Sequence, residues 1–81
     1  MSGRLPRDMS GDELCRCLRR LGYGPVRQTG SPVYCADAHG RGVVVPRHAR
    51  LKIGTLNAII RAVAEQQGVS KEEIQRRIFG S

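Results

Sequence analysis

The chain has 81 residues, enough for one small domain. With 40% hydrophobic residues it can bury a core, and with 4% aromatics that core must be built from Leu, Ile and Val. No apolar run approaches the roughly 18 residues that cross a bilayer, the opening MSGRLPRDMSGDEL has no hydrophobic signal core, and the net charge of +7 favours a polyanion or an acidic protein as partner. These features exclude a membrane span and a secretion signal, so the expected location is the cytoplasm.

In chain order, residues 1–9 read as a flexible N-terminal tail and residues 10–81 as a single domain. Ser10-Gly11-Asp12-Glu13 is a capping box, with Ser10 at the N-cap and Glu13 at the third helical position. Leu14, Leu18 and Leu21 follow at helical spacing with Cys17 on the same face, and Gly22 closes the helix, so the first helix spans about 11–21. Gly24-Pro25 punctuates the chain before three short strands: Val26 to Thr29, Val33 to Asp37 and Arg41 to Val45. Ala38-His39-Gly40 is a turn, with Gly40 suited to a left-handed conformation. Alternation puts Val33 and Cys35 on one face and Tyr34 and Ala36 on the other.

Arg47 to Lys52 is a basic loop. A second helix starts near Ile53-Gly54-Thr55, carries Leu56, Ile59, Ile60, Val63 and Ala64 as an apolar stripe, and ends at Gln66-Gln67-Gly68. Ser70-Lys71-Glu72-Glu73 is a second capping box, before a short helix presenting Ile74, Ile78 and Phe79. The predicted class is α+β: α-β-β-β-α with a short extra C-terminal helix and a three-stranded antiparallel sheet covered by helices on one face. In outline this resembles the double-stranded RNA-binding domain, without that module's basic cluster at the start of its last helix.

The charge is uneven. Residues 22–55 hold Arg27, Arg41, Arg47, Arg50 and Lys52 against Asp37, a net +4, while residues 1–21 give +2 and residues 56–81 give +1. The excess lies on the strands and their loops, which fits nucleic acid. Cys15, Cys17 and Cys35 are three, with no metal-knuckle spacing, and read as reduced thiols. No metal site and no cofactor is expected.

His39 and His48 are the only histidines. His39 reads as turn surface. His48 lies among Arg47, Arg50 and Lys52, where a phosphodiester would be drawn, and a histidine titrates near neutrality. Cleavage of RNA without a metal needs a base for the 2′-hydroxyl, an acid for the leaving oxygen and cations for the developing charge. Arg27, Arg47, Arg50 and Lys52 can supply the cations and His48 the base. Arg41 can line the open face or rim of the sheet, and Tyr34 can stack on a base or cover the small sheet. Ser31 beside Gly30 can offer a hydroxyl and a backbone donor to phosphate, or simply form the turn.

The order Arg27-Gln28-Thr29-Gly30-Ser31, Asp37, Gly40, Val45-Pro46-Arg47-His48, Gly54-Thr55-Leu56, Ile59-Ile60, Gly68-Val69-Ser70 and Glu73 resembles the HicA family over about residues 10–79. These are small mRNA interferase toxins paired with HicB antitoxins. The resemblance implies a compact catalytic centre on a double-stranded-RNA-binding-domain fold, mRNA cleavage without an obligatory metal, and a HicB-like antitoxin that covers the centre, with a higher-order complex as one form of that pairing. In the family the Gly-Ser pair precedes the catalytic histidine. Gly30 and Ser31 match, but the next residue here is Pro32. Gly54-Thr55-Leu56 implies the same fold and a phosphate contact at the helix start. Three readings stay open. Pro32 is an inactivating change, natural or introduced. The chain binds RNA or its antitoxin without catalysis. Or His48 has taken over the acid–base role.

Overall fold

The computed structural model describes residues 5–28 and 32–80. Helix α1 (Gly11–Leu18) leads through a tight 3₁₀ turn, Arg19–Leu21, into three antiparallel strands: β1 (Gly24–Gln28), β2 (Val33–Ala36) and β3 (Gly42–Val45). Helices α2 (Ile53–Gln67) and α3 (Lys71–Phe79) follow. The strand order is β1-β2-β3, so β2 is central and both β1 and β3 are edges. The expected α+β arrangement with one additional helix is what the chain adopts.

The local signals act as sequence chemistry dictates, with instructive departures. Ser10 Oγ accepts from the Glu13 N–H at 3.1 Å and the Glu13 carboxylate accepts from the Ser10 N–H at 2.8 Å, a complete capping box. The bond from the Ser10 N–H is the main reason the Glu13 carboxyl titrates below its usual value. The second box forms only by half. Ser70 Oγ caps the Glu73 N–H, but the Glu73 carboxylate turns to Arg76 and Arg77 instead of reaching back. Two cations three and four residues on compete better for it than one backbone donor does. At the end of the first helix the last three residues tighten to 3₁₀, and Gly22 (φ +87°) takes the left-handed position that stops it.

The first strand begins earlier than its predicted start at Val26, because β1 takes in Gly24 and Pro25. An edge strand tolerates a proline, whose missing donor can face outward. The register slips between Pro25 and Arg27, leaving Val26 as a bulge. Thr29, the predicted end of that strand, lies outside the described residues. Pairing then runs Arg27 with Tyr34, Tyr34 with Val44, and Val33 with Val45.

The core lies between the sheet and the helices. Leu14 and Leu18 of α1, Val33, Cys35, Val43 and Val45 of the sheet, Leu56, Ile60 and Val63 of α2, and Ile74 and Ile78 of α3 are buried together. Each such aliphatic side chain contributes about 1.5–3 kcal/mol on leaving water. Ala36, expected on the open face, is buried as well, at the last position of β2 where the paired Gly42 backbone packs closely against it. Tyr23, just before β1, is the largest fully buried side chain, an aromatic in a core expected to be aliphatic. Its hydroxyl donates to Gln66 Oε1 at 2.6 Å and accepts from Gln67 Nε2 at 3.2 Å, so its polar end is satisfied. Among the described residues no helix is long and apolar enough to cross a membrane.

Candidate nucleic-acid interface

The two ends of the sheet differ sharply. At one end, Asp37 accepts from the N–H groups of His39 and Arg41, both at 2.9 Å, and pairs with the Arg41 guanidinium at 2.9 Å. Burial penalises the Asp37 charge, but the bonds from Arg41 and His39 outweigh it together, and its carboxyl titrates below the usual value. Arg41 also donates to the Gln66 carbonyl at 2.7 Å, at the C-terminal end of α2. Its charge is therefore spent on the turn and on a helix terminus. The four residues of β3 separate Arg41 from Pro46 by about 17 Å at the usual strand rise, so Arg41 does not join the basic loop.

At the other end, β3 runs out into Pro46, Arg47 and His48, which lie across the start of α1. The Gly11 N–H donates to the His48 carbonyl at 2.9 Å, and the Leu51 N–H donates to the Met9 carbonyl at 2.8 Å. A side chain at Gly11 would collide with the Pro46 carbonyl and the Arg47 backbone. Glycine is therefore required there by close approach of two backbones. Leu51 is buried, and Leu5 and Met9 are partly buried against the core.

Around this anchored loop the cations stay outside. Arg47 pairs with Asp12 at 3.1 Å and Arg50 with Asp8 at 3.3 Å. The Arg50 and Asp8 side chains are 74% and 81% exposed, so their pairing is worth at most about 1 kcal/mol and yields readily to a stronger anion. His48 and Lys52 are exposed, and neither side chain makes a hydrogen bond among the described residues. Among the described residues no carboxylate orients the His48 imidazole. The start of α2 has no side-chain cap; Ile53 and Gly54 are exposed there, while Leu56 is buried.

Pro32 is exposed and directly precedes Val33, the first paired residue of β2. It stands at the same end of the sheet as Pro46, Arg47 and His48, since Val33 pairs with Val45. Gly30 and Ser31 lie outside the described residues. Of Arg27 the backbone is placed, opposite Tyr34. Tyr34 is 36% exposed on the open face, its hydroxyl making a long 3.4 Å bond to the Gly40 carbonyl. With Val44 (57%) across the strand it forms an apolar patch on that face, and Val26 at the bulge is exposed as well.

Cys35, which the sequence leaves alone in its strand, meets a partner. Its Sγ donates to Cys15 Sγ at 3.3 Å, joining β2 to α1. Burial first, and this bond second, push the Cys35 thiol up to about 12. Native protein treated with iodoacetamide at pH 8 is therefore expected to leave Cys35 unmodified while Cys15 reacts, with all three cysteines labelled in denaturant. Peptide mass spectrometry reads the order, and early labelling of Cys35 in the native protein would contradict the burial argument. Among the described residues no three His, Cys, Asp or Glu side chains gather as a metal-ligand group.

Sequence reasoning passed over Arg16 and Arg19, which follow Asp12 along one side of α1 and the 3₁₀ turn and line a cleft together with Arg47. The signal was their three-residue spacing, which places both on one side of a helix.

Neither the curated proteins nor the solved structures contain a match to the chain. A family model described as the HicA toxin of bacterial toxin–antitoxin systems matches residues 11–67, from the first residue of α1 to the last of α2. That span is 57 of the 81 residues (67 − 11 + 1) and contains the whole sheet and the anchored basic loop. The chain thus belongs to the HicA toxin family, the toxin side of bacterial toxin–antitoxin pairs.

Proposed function

We propose that this chain is a toxin-family domain that engages mRNA through the Pro32–Arg47–His48 end of its sheet, and that its cleavage of mRNA is weak or absent because Pro32 stands at the family's catalytic histidine position. The observation that supports this most is the anchored loop. Backbone bonds from Gly11 and Leu51 fix its course, while Arg47, His48, Arg50 and Lys52 remain exposed, the first two at the end of the sheet where Pro32 stands. Cations carried on a backbone of fixed course bind phosphates at a lower ordering cost than cations on a loose loop. A histidine at position 32 would supply the proton-transfer group that proline lacks, and the family chemistry needs no metal for it. A HicB-like antitoxin covering this end is the expected protein partner.

Fluorescence anisotropy with a single-stranded RNA oligomer, from 50 to 200 mM salt, tests the binding. Affinity is expected to fall steeply with salt. The double variant Arg50→Ala/Lys52→Ala is expected to flatten the log–log slope by roughly 1.4, about 0.7 for each phosphate that is no longer neutralised. Binding that ignores salt, or a double variant with the parent slope, would count against the loop as the RNA contact.

A further inference from the structure

A second basic surface lies around the corner from the loop. Asp12, Cys15, Arg16 and Arg19 recur at steps of three and one along α1 and so share one flank of the helix. That flank, Pro25 of the edge strand, Val33 and Arg47 enclose a cleft of about 340 Å³. Its charge is lopsided. Three guanidinium groups face one carboxylate, and that carboxylate, Asp12, is already paired with Arg47. Arg16 and Arg19 make no hydrogen bond or ion pair among the described residues, whereas their neighbour Arg20 is tied to the Ile78 carbonyl at 3.2 Å. The floor, from Pro25, Val33 and Cys15, is apolar or nearly so.

We infer that this cleft holds the sugar–phosphate backbone of single-stranded RNA leaving the Pro32–His48 end, with Arg16 and Arg19 as its phosphate contacts. The inference rests on the RNA reading above and extends it to α1. Like charges three residues apart repel on a bare helix, and a phosphate between them turns that repulsion into attraction. The planar guanidinium matches phosphate oxygens two at a time. The cleft begins at Val33 and Arg47, each adjacent in the chain to Pro32 or His48, so a strand held at that end of the sheet turns round it onto the helix side to enter the cleft. An acidic protein fits less well. A stable protein contact buries on the order of 1,200 Å² or more, and a slot this small admits one backbone-wide ligand.

Arg16→Ala/Arg19→Ala tests the inference, with Arg61→Ala on the exposed side of α2 as control. Alanine at exposed helix positions favours the fold, and circular dichroism checks it. With the same RNA oligomer, the double variant is expected to bind at least about tenfold more weakly at 50 mM salt, with a slope flatter by roughly 1.4, while Arg61→Ala binds as the parent does. If Arg16→Ala/Arg19→Ala matches the parent while Arg50→Ala/Lys52→Ala loses affinity, the cleft is not an RNA subsite and the loop reading stands. If the parent shows no salt-dependent RNA binding, both fall. If the double variant keeps its RNA affinity but loses a HicB-like partner in a pull-down, the cleft is a protein contact and the inference is overturned.

Discussion

Pro32→His is expected to gain ribonuclease activity, with cleavage of an RNA oligomer rising at least about 100-fold over the parent chain, and to become toxic when expressed without an antitoxin. The magnitude is the lower end of what one positioned acid–base group contributes. The site is prepared for it. Val33 opens the ladder of the central strand, so residue 32 stands just outside the paired region, at the end where Arg47 and His48 emerge. A proline inside a central strand would remove a ladder bond; one residue before it, the ring costs nothing, and histidine can replace it without disturbing a pair. Alternation puts residue 32 on the face that carries Tyr34, away from the helices. The substitution loosens the unfolded chain and so is expected to lower stability by only about 0.4–1 kcal/mol. Pro32→Ala is the control, since it relieves the ring without adding a proton carrier. The decisive result is a Pro32→His protein that folds and binds RNA with the parent's salt dependence yet never cleaves. That outcome would remove position 32 from the mechanism.

Gly11→Ala is expected to destabilise the protein by about 2–4 kcal/mol, a large part of the 5–15 kcal/mol typical of a small domain. The added methyl meets the Pro46 carbonyl and the Arg47 backbone, neither of which can move without lifting the loop off α1. Overpacking of this kind costs about 1–3 kcal/mol, and loss of the bond from the Gly11 N–H to the His48 carbonyl adds about 1 kcal/mol. Helix propensity and unfolded-state entropy favour alanine by less than that. Gly54→Ala separates the two contributions. It sits in the first turn of α2 with nothing within 4 Å of the new carbon, so it shows the propensity gain alone and is expected to stabilise by up to about 1 kcal/mol. Urea unfolding midpoints measure both. Equal midpoints for Gly11→Ala and the parent would mean the loop is not seated on α1 as described.

Local chemistry was legible and long-range chemistry was not. Ser10 with Glu13 announces a helix start because donor and acceptor are three residues apart, within reach of any reading of the chain. The same logic overstated Ser70 with Glu73, where Arg76 and Arg77 drew the carboxylate away. Arg41 looked like a free cation on a strand. Its partners are Asp37 across a turn and a carbonyl 25 residues on, and no periodicity reports the second. Tyr23 falls between two predicted elements, where no stripe claims it, yet Gln66 and Gln67 satisfy its hydroxyl and let it fill the core. The contact of Cys35 with Cys15 depends on how α1 crosses the sheet, which spacing within either element does not encode. For the candidate site, the basic loop and Pro32 were visible as residue types in order. The flank of α1 that completes the cleft became visible only when the helix was docked.

The bond between Leu51 and Met9 has a practical consequence for handling the protein. With the pairing of Asp8 and Arg50 it holds residues 8 and 9 against the basic loop. The other terminus behaves differently: Gly80 lies near Arg20, at the far end of the first helical segment. An affinity tag at the front of the chain is therefore expected to disturb RNA or antitoxin assays of the loop, and comparing tagged with tag-free protein measures it. The same tag fused behind Gly80 would start beside Arg20 instead, away from the loop but one residue from Arg19, so loop assays are best immobilised from the back and cleft assays run on tag-free protein.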